Sequence, residues 1–200
     1  MIRVLIAEDQ TLVRGALAAL LAMEEEIEVV AEAADGEEAI NQALATHPDI
    51  ALVDIEMPKL SGLSVIEHLS NHEPSCKTLI LTTFARPGYL QRAIRSGASG
   101  YILKDARIED VVAAIFMAHR GQKIFNTELM MDAMTDPNPL TDREIDILRL
   151  VKAGLSTRDI AARLYLSEGT IRNYMSEVLA KLAVQSRQEA VRKTEEQGWL

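Results

Sequence analysis

The segment Ile50-Ala-Leu-Val-Asp-Ile-Glu-Met-Pro58 carries the clearest fold signal of this chain, because four apolar residues are followed directly by an acid. A short, continuous apolar run of this kind predicts a strand that is buried on both faces of a parallel sheet. Comparable runs occur at Ile2–Ala7, Glu28–Ala34, Lys77–Thr82 and Gly100–Leu103. The sequence therefore predicts five strands, with the third one ending at Asp54.

Each predicted strand is followed by residues with the apolar spacing of a helix. The predicted helices cover 11–23, 36–47, 61–69, 88–96 and 108–120, and Asp35 is the predicted N-cap of the second. Five strands alternating with five helices predict an α/β unit, in which a five-stranded parallel sheet carries helices on both faces and right-handed crossovers join the strands.

Polar side chains follow four of the five strands, at the sheet edge where this class of fold binds its ligands. These side chains belong to Glu8, Asp9, Asp54, Thr82 and Lys104. Three carboxylates would repel one another there unless a cation lay among them, and oxygen ligands suit Mg²⁺ or Mn²⁺. A single strand-end acid is more often a solvated loop residue. Four strand ends with complementary chemistry instead predict transfer of a phosphoryl group to a carboxylate, with Lys104 and Thr82 as its partners.

The composition is that of an ordinary globular protein. The 200 residues include 21 Lys and Arg against 30 Asp and Glu, for a net charge of −9, and 48% are hydrophobic. This balance excludes a disordered chain, and no apolar run approaches the roughly 20 residues that span a bilayer, so we expect no membrane partner. A single cysteine, Cys76, predicts a cytoplasmic protein without an internal disulfide.

The charge is divided unevenly along the chain. Residues 1–134 hold 11 basic and 20 acidic side chains, whereas residues 135–200 hold 10 of each, and the stretch 147–187 has 7 basic and 3 acidic, a net of +4. Between the parts, Thr135-Asp-Pro-Asn-Pro139 has the composition of a linker. We predict three regions: a domain at 1–122, a connecting helix near 127–134 with a linker at 123–139, and a domain at 140–200.

The last sixty residues carry helix-start signals in close succession. Thr141 is a predicted N-cap with Glu144 at the capping-box position, and Ser156 and Ser167 are predicted N-caps of the next two helices. A fourth helix is expected from about Arg187. Short helices joined by tight turns predict an all-α, four-helix unit that contains a helix-turn-helix.

The third of these helices, predicted at 168–182, has an outer face that suits a DNA groove. Arg172, Asn173 and Ser176 lie on this face, and Arg and Asn are the side chains that pair with guanine and adenine edges. Thr170, Lys181 and Arg187 are candidate phosphate contacts. A helix with one outward Arg and one outward Asn is usually only a solvated face. The helix order, the caps and the local positive charge favour DNA binding here.

Both halves resemble known families. Residues 1–120 resemble the flavodoxin-like (CheY-like) receiver domain of bacterial response regulators, through Glu8-Asp9, Asp54–Gly62, Leu81–Thr83 and Gly97–Lys104. Residues 140–191 resemble the LuxR-type DNA-binding domain, through the motifs at 140–144, 160–164, 167–173 and 179–187. Together they are similar to the NarL/FixJ subfamily, and the run 81–89 is similar to that of DesR-like members, which control lipid desaturation.

The resemblance implies a role for each residue of the strand-end cluster. Asp54 would be the phosphoacceptor, and Mg²⁺ (or Mn²⁺) would be held by Asp9, by Glu8 mainly through water, by Asp54 and by the backbone carbonyl of Glu56. Thr82 and Lys104 would hold the phosphoryl oxygens, and Tyr101 would be the aromatic switch residue.

The function that follows is transcription regulation in the cytoplasm. A sensor histidine kinase would donate its phosphoryl group to Asp54, and this would promote homodimerisation and binding to double-stranded DNA at promoter half-sites. The chain would not be an enzyme beyond its own phosphorylation and dephosphorylation. Three alternatives remain: a receiver-type regulator that works without phosphorylation, an aspartate-nucleophile phosphohydrolase, and a LuxR-type activator that senses a small ligand.

Overall fold

The computed structural model describes residues 1–83, 87–125 and 138–200, and the chain divides into two compact units. The predicted connecting helix at 127–134 and most of the predicted linker lie outside the described residues.

The N-terminal unit is a five-stranded, all-parallel sheet whose strands alternate with helices. The strands are β1 (Ile2–Ala7), β2 (Ile27–Ala33), β3 (Ile50–Val53), β4 (Lys77–Thr82) and β5 (Gly100–Leu103). The helices are α1 (Thr11–Leu21), α2 (Gly36–Thr46), α3 (Gly62–His72), α4 (Pro87–Arg95) and α5 (Ile108–His119). The strand order β2-β1-β3-β4-β5 confirms the predicted fold class.

Two apolar layers cover the sheet. On one face, side chains of β1, β3 and β4 such as Val4 and Leu52 pack with Leu21 of α1 and Ile115 of α5. On the other face, Leu5 and its neighbours pack against α2 and α3. Strands buried on both faces explain why the sequence of β3 reads as an unbroken apolar run.

Strands β1, β4 and β5 have the predicted bounds, and the ends of the other elements of this unit differ from the predictions by at most three residues. Helix α3 continues through the polar residues 70–72, which lack the apolar spacing that marks a helix, and the Glu73 N–H closes it by donating to the Leu69 carbonyl. Strand β3 ends at Val53, so Asp54 lies just outside the sheet. The predicted N-cap Asp35 is confirmed, since its side chain accepts a hydrogen bond from the backbone N–H of Glu38.

The residues that follow α5 cover the outer edge of β5. The backbone N–H of Ile124 donates to Ser99 O (2.8 Å), and its carbonyl accepts from the N–H of Tyr101 (2.9 Å). The Lys123 ammonium donates to the Ala98 carbonyl at 2.8 Å. A Cβ on Gly100 would lie 3.0 Å or less from Ile124 atoms, so this close approach requires glycine.

In the C-terminal unit, described residues 138–200 form four helices, and all four predicted ones are present. They are α6 (Asp142–Lys152), α7 (Thr157–Leu164), α8 (Glu168–Leu182) and α9 (Arg187–Glu196). Thr141 and Glu144 form the predicted capping box, and Ser156 and Ser167 cap α7 and α8. The four helices close around two apolar clusters, one centred on Leu148 and Val178 and the other on Ile160 and Ile171.

Within the described residues, every helix is too short or too polar to cross a bilayer.

Candidate functional sites

The strand-end carboxylates of the N-terminal unit meet at one edge of the sheet. Ala7 of β1 and Val53 of β3 are partners in the parallel register, so Glu8 and Asp54 leave the sheet side by side. The N–H of Asp54 donates to the Ala7 carbonyl at 2.9 Å, which continues the ladder by one residue. Glu8 and Asp54 are buried, with 1% and 5% of their surface exposed, whereas Asp9 is exposed.

Lys104 reaches both buried carboxylates from the end of β5. Its ammonium lies 2.6 Å from Glu8 Oε2 and 3.0 Å from Asp54 Oδ2, and only 10% of its side chain is exposed. Because Thr82 and Leu103 are register partners, Lys104 leaves β5 beside the end of β4, and its N–H donates to the Thr82 carbonyl at 2.8 Å. The predicted convergence of these residues is therefore present.

One carboxylate oxygen from each of Glu8, Asp9 and Asp54 lies within 4.8 Å of the other two. Three carboxylates and one ammonium leave two negative charges, which matches a divalent cation. All donors are carboxylate oxygens, the ligands that hard cations prefer, and exposed Asp9 opens the cluster to solvent. The donor set therefore fits a hard divalent cation.

The electrostatics of the cluster are dominated by burial. Burial raises the pKa of Asp54 to about 6, since the hydrogen bond and charge of Lys104 offset only part of the lost hydration, and the charge of Glu8 adds to the rise. Burial lowers the pKa of Lys104, but hydrogen bonds to Glu8 and Asp54 outweigh this effect, and the pKa of Lys104 rises overall. At neutral pH, Asp54 is therefore an ionised but weakly hydrated carboxylate, as a nucleophile should be.

Three residues that the sequence argument did not single out hold this site in shape. Arg14 of α1 donates from Nη1 to the Glu8 carbonyl at 2.6 Å and lies 3.5 Å from a Glu32 oxygen. A Cβ on Gly62 would collide with the Asp54 carbonyl oxygen, so α3 can begin this close only with glycine. Lys59 ties the loop after β3 to α2 through Asp35, at 2.6 Å.

These three residues differ in how visible they are in the sequence. A glycine eight residues after the acid is a readable signal for close approach. The contacts of Arg14 and Lys59 join separate elements and have no local signal.

The remaining residues predicted for this site lie near it. Thr82 and Tyr101 are buried, with 1% and 4% of their surface exposed, and lie on the adjacent strands β4 and β5. The side chain of Glu56 is exposed in the loop after Asp54. The switch role of Tyr101 and the carbonyl ligand from Glu56 stay predictions.

The outer face of α8 is as open as predicted. Arg172, Asn173 and Ser176 are exposed, while Ile171 and Val178 on the opposite face are buried. Arg172 lies 3.6 Å from Glu168 within the same helix, a contact between two exposed side chains that a stronger anion can displace. Thr170 is half-buried, and its hydroxyl is 2.8 Å from that of the N-cap Ser167.

Two predicted phosphate contacts have partners or surroundings that the sequence did not indicate. The ammonium of Lys181 lies 2.7 and 2.8 Å from the two oxygens of Glu144, whose side chain is 1% exposed. The side chain of Arg187 is half-buried, and its Nη2 is enclosed without a hydrogen-bond partner among the described residues. For both residues, contact with phosphate stays a prediction, and for Lys181 it competes with an internal ion pair.

The Lys181–Glu144 pair ties α8 to the start of α6. Burial alone raises the pKa of Glu144, but hydrogen bonds from Lys181 and Thr141 outweigh it, so the pKa of Glu144 is lowered overall. The capping box was visible in the sequence; the partner 37 residues away was not.

Comparison with known proteins agrees with both halves. Residues 4–116 match the family model of the response regulator receiver domain, and residues 138–194 match that of the bacterial regulatory proteins of the luxR family. Transcriptional regulatory protein YvfU of Bacillus subtilis (strain 168) is 50% identical over 200 residues, which is all of both chains. Transcriptional regulatory protein DesR of the same strain is 46% identical over 199 residues, covering 100% of this chain and 99% of DesR.

Solved structures show the same architecture. The crystal structure of response regulator ChrA, from a heme-sensing two-component system, has 32% identity and a TM-score of 0.59, covering 100% of this chain and 98% of ChrA. The response regulator RcsB in its complex with DNA has 25% identity and a TM-score of 0.65, with 98% of each chain covered. This chain therefore belongs to the two-component response regulators that join a receiver domain to a LuxR-type DNA-binding domain.

Proposed function

We propose that this regulator is switched on by phosphorylation of Asp54, with the receiver at 1–122, the connection at 123–139 and the DNA-binding domain at 140–200. The observation that carries the proposal is the contact of one ammonium, that of Lys104, with two buried carboxylates, those of Glu8 and Asp54. In a purely structural ion pair, one ammonium would face one carboxylate. Here the single ammonium of Lys104 faces two carboxylates, so Asp54, the proposed nucleophile, lies beside negative charge that is not neutralised.

Glu8, Asp9, Asp54 and the backbone carbonyl of Glu56 are the proposed ligands of Mg²⁺ or Mn²⁺. The ion would supply positive charge that lets an anionic phosphoryl group approach three carboxylates. Arg14 supports this set indirectly, since it holds the carbonyl of Glu8 and so fixes the loop that carries Glu8 and Asp9.

The chemical step is a phosphoryl transfer between two protein side chains. A carboxylate oxygen of Asp54 forms a bond to phosphorus as the bond from phosphorus to a histidine nitrogen of the kinase breaks, and that nitrogen keeps the electron pair. Lys104 already lies at Asp54 and pairs with the phosphoryl oxygens as charge builds up. The hydroxyl of Thr82 donates to the same group and, with Tyr101, reshapes the surface near β5.

The output is binding of double-stranded DNA by a homodimer in the cytoplasm. Arg172, Asn173 and Ser176 are the proposed base contacts, because they are exposed on α8. Thr170, Arg187 and Lys181 are the proposed phosphate contacts, the last at the expense of its bond to Glu144.

Intact-mass measurement after incubation with acetyl phosphate tests the phosphorylation. We expect one phosphoryl adduct that requires Mg²⁺ and is absent in Asp54→Asn. Glu67→Gln, which removes an exposed carboxylate of α3, is the matched control and should be modified like the wild type. An adduct that persists in Asp54→Asn would place the phosphoacceptor elsewhere.

Binding to genomic DNA fragments, at one stated salt concentration, tests the output. Beryllofluoride with Mg²⁺ should increase both dimerisation and DNA affinity of the wild type and leave Asp54→Ala unchanged. Equal binding with and without beryllofluoride would favour the regulator that works without phosphorylation. Family membership already speaks against the phosphohydrolase and against the ligand-sensing activator, whose sensor would replace the receiver.

A further inference from the structure

Tyr165 is the most exposed large apolar or aromatic side chain among described residues 138–200. It is 94% exposed, and within described residues 138–200 it is the only large apolar or aromatic side chain in the exposed class. Burial in the core is the usual reason to keep an aromatic residue, and it does not apply here. The phenol therefore contributes nothing to the packing of this unit.

The backbone of Tyr165 is also in a conformation that glycine favours. Its φ is 56°, and it ends α7 in a Schellman motif, where the N–H of Leu166 donates to Ala161 O and the N–H of Tyr165 donates to Ala162 O. An L side chain at this position costs free energy that glycine would not. The left-handed backbone conformation of Tyr165 thus lowers the stability of the unit, and its exposed side chain makes no packing contact that would compensate for this.

The exposed phenol of Tyr165 lies close to the start of α8. It lies two residues before Ser167, the N-cap of α8, so the two Cα atoms are within about 7 Å of each other. In a helix-turn-helix, the N-terminal residues of the recognition helix enter the major groove, so the residues just before that helix pass the phosphates that border the groove. Tyrosine hydroxyls are among the regular donors to these phosphates.

The turn that carries Tyr165 is held firmly. Arg143 of α6 donates to the carbonyl of Leu164 at 3.2 Å, and Leu166 packs against the cluster that contains Ile160 and Ile171. The backbone that carries the phenol is therefore already fixed, and only the side-chain torsions of Tyr165 have to be ordered when it binds.

We propose that the Tyr165 hydroxyl donates a hydrogen bond to a DNA phosphate at the edge of the groove that α8 enters. The proposal rests on the proposed DNA contact of α8 and adds a residue outside that helix. The donor is uncharged and the acceptor belongs to the DNA backbone, so the contact strengthens binding to every DNA sequence alike. It also fixes the orientation of α8 in the groove.

The test uses the full chain with beryllofluoride and Mg²⁺, and a 30-base-pair duplex of arbitrary sequence, because a phosphate contact does not need the operator. Tyr165→Phe removes only the hydroxyl and should weaken binding by about 3- to 10-fold. The slope of log K against log salt should stay unchanged, since no charge is lost.

Glycine substitutions separate binding from folding. Tyr165→Gly should raise the Tm of the C-terminal unit by about 3–5 °C and still weaken DNA binding. Ala183 is the matched control: it ends α8 in the same motif with φ 52° and is also exposed. Ala183→Gly should raise the Tm similarly and leave DNA binding unchanged. The fluorescence of Trp199, the only tryptophan, reports this unit because it lies in its core.

The outcomes distinguish this proposal from the one on which it rests. Binding of Tyr165→Phe within twofold of the wild type overturns the role of Tyr165, provided that Arg172→Glu, which puts negative charge on the exposed face of α8, binds weakly. Equal binding by Arg172→Glu and the wild type would instead overturn the assignment of α8 as the DNA contact.

Discussion

Each unit of this molecule contains a buried carboxylate in contact with a lysine, and the two contacts differ in their charge balance. In the receiver, Lys104 faces both Glu8 and Asp54. In the DNA-binding domain, Lys181 faces Glu144 alone, and the N–H and hydroxyl of Thr141 donate to the same carboxylate at 2.7 and 3.0 Å.

The difference in balance gives the carboxylates opposite properties. The pKa of Glu144 is lowered, because its hydrogen bonds outweigh burial, whereas the pKa of Asp54 is raised to about 6, because burial outweighs its one shared lysine. A saturated pair holds two helices together, whereas the under-compensated cluster retains negative charge that a cation can neutralise. A buried carboxylate beside a lysine thus serves packing in one unit, and in the other it has the charge that the proposed phosphorylation of Asp54 requires.

The largest effect is expected from breaking the saturated pair. Lys181→Met leaves Glu144 buried and unpaired and should lower the stability of the DNA-binding domain by about 2–3 kcal/mol at pH 7, less than for a fully buried pair because 35% of Lys181 is exposed. Because the pKa of Glu144 is lowered in the native state, its stabilising contribution is complete above about pH 4.5 and is lost as pH falls through the native pKa. Urea unfolding followed by Trp199 fluorescence measures both effects.

The control for this substitution is the exposed pair Lys152–Glu195. Its atoms are 2.7 Å apart, but the side chains are 56% and 41% exposed. Lys152→Met should therefore change stability by less than about 1 kcal/mol. Equal losses in the two variants would contradict a special role of burial at Glu144.

A substitution in the under-compensated cluster should act in the opposite direction. Asp54→Asn should stabilise the metal-free receiver by about 1–2 kcal/mol at pH 7.5, since it removes a charge that burial disfavours. The native carboxyl binds its proton more tightly than the unfolded one, for which the ordinary value is 3.8, so stability of the wild type falls as pH rises from about 4 to about 6. The gain from Asp54→Asn is complete above this range and disappears below it.

Calorimetry in the presence of a chelator measures this gain in the stability of the receiver. Trp199 fluorescence identifies which unfolding transition belongs to the DNA-binding domain. Glu67→Gln removes an exposed carboxylate and should leave the unfolding temperature of the receiver unchanged. A less stable Asp54→Asn at pH 7.5 would mean that Lys104 already compensates both carboxylates.

A smaller effect is expected from the cation itself. Mg²⁺ at ten times its dissociation constant should stabilise the wild-type receiver by about 1.4 kcal/mol and leave the DNA-binding domain unchanged. Asp9→Asn should lose most of this response, because Asp9 supplies the exposed oxygen of the cluster. Thermal unfolding at increasing Mg²⁺ concentration measures this stabilisation of the receiver. Equal stabilisation of Asp9→Asn and the wild type would mean that Asp9 is not a ligand.

Local signals made most of the fold predictable. Apolar runs marked the strands, and the caps at Asp35, Thr141, Ser156 and Ser167 marked helix starts, since each depends on residues within four positions. Parallel topology then placed Asp54 and Lys104 at one edge without further information.

What the sequence did not show depends on contacts between distant residues. The partner of Lys181 lies 37 positions away, so the lysine reads as a surface cation until the helices are packed. The bond from Arg14 to the Glu8 carbonyl depends on how α1 turns against β1, which apolar spacing alone does not fix. Helix α3 ends three residues beyond its predicted end, because residues 70–72 are polar and apolar spacing does not mark them as helical.

The bridge between Ile124 and β5 has a practical consequence for isolating the receiver. Without Ile124, the N–H of Tyr101 and the carbonyl of Ser99 would form an open strand edge, the kind of template on which sheets of separate molecules join. A fragment that stops at Gln122 would expose this edge, whereas one that continues through Phe125 keeps it covered. The shortest receiver fragment that resists aggregation should therefore end at Phe125. This is three residues beyond Gln122, where the last helix and the turn after it are complete.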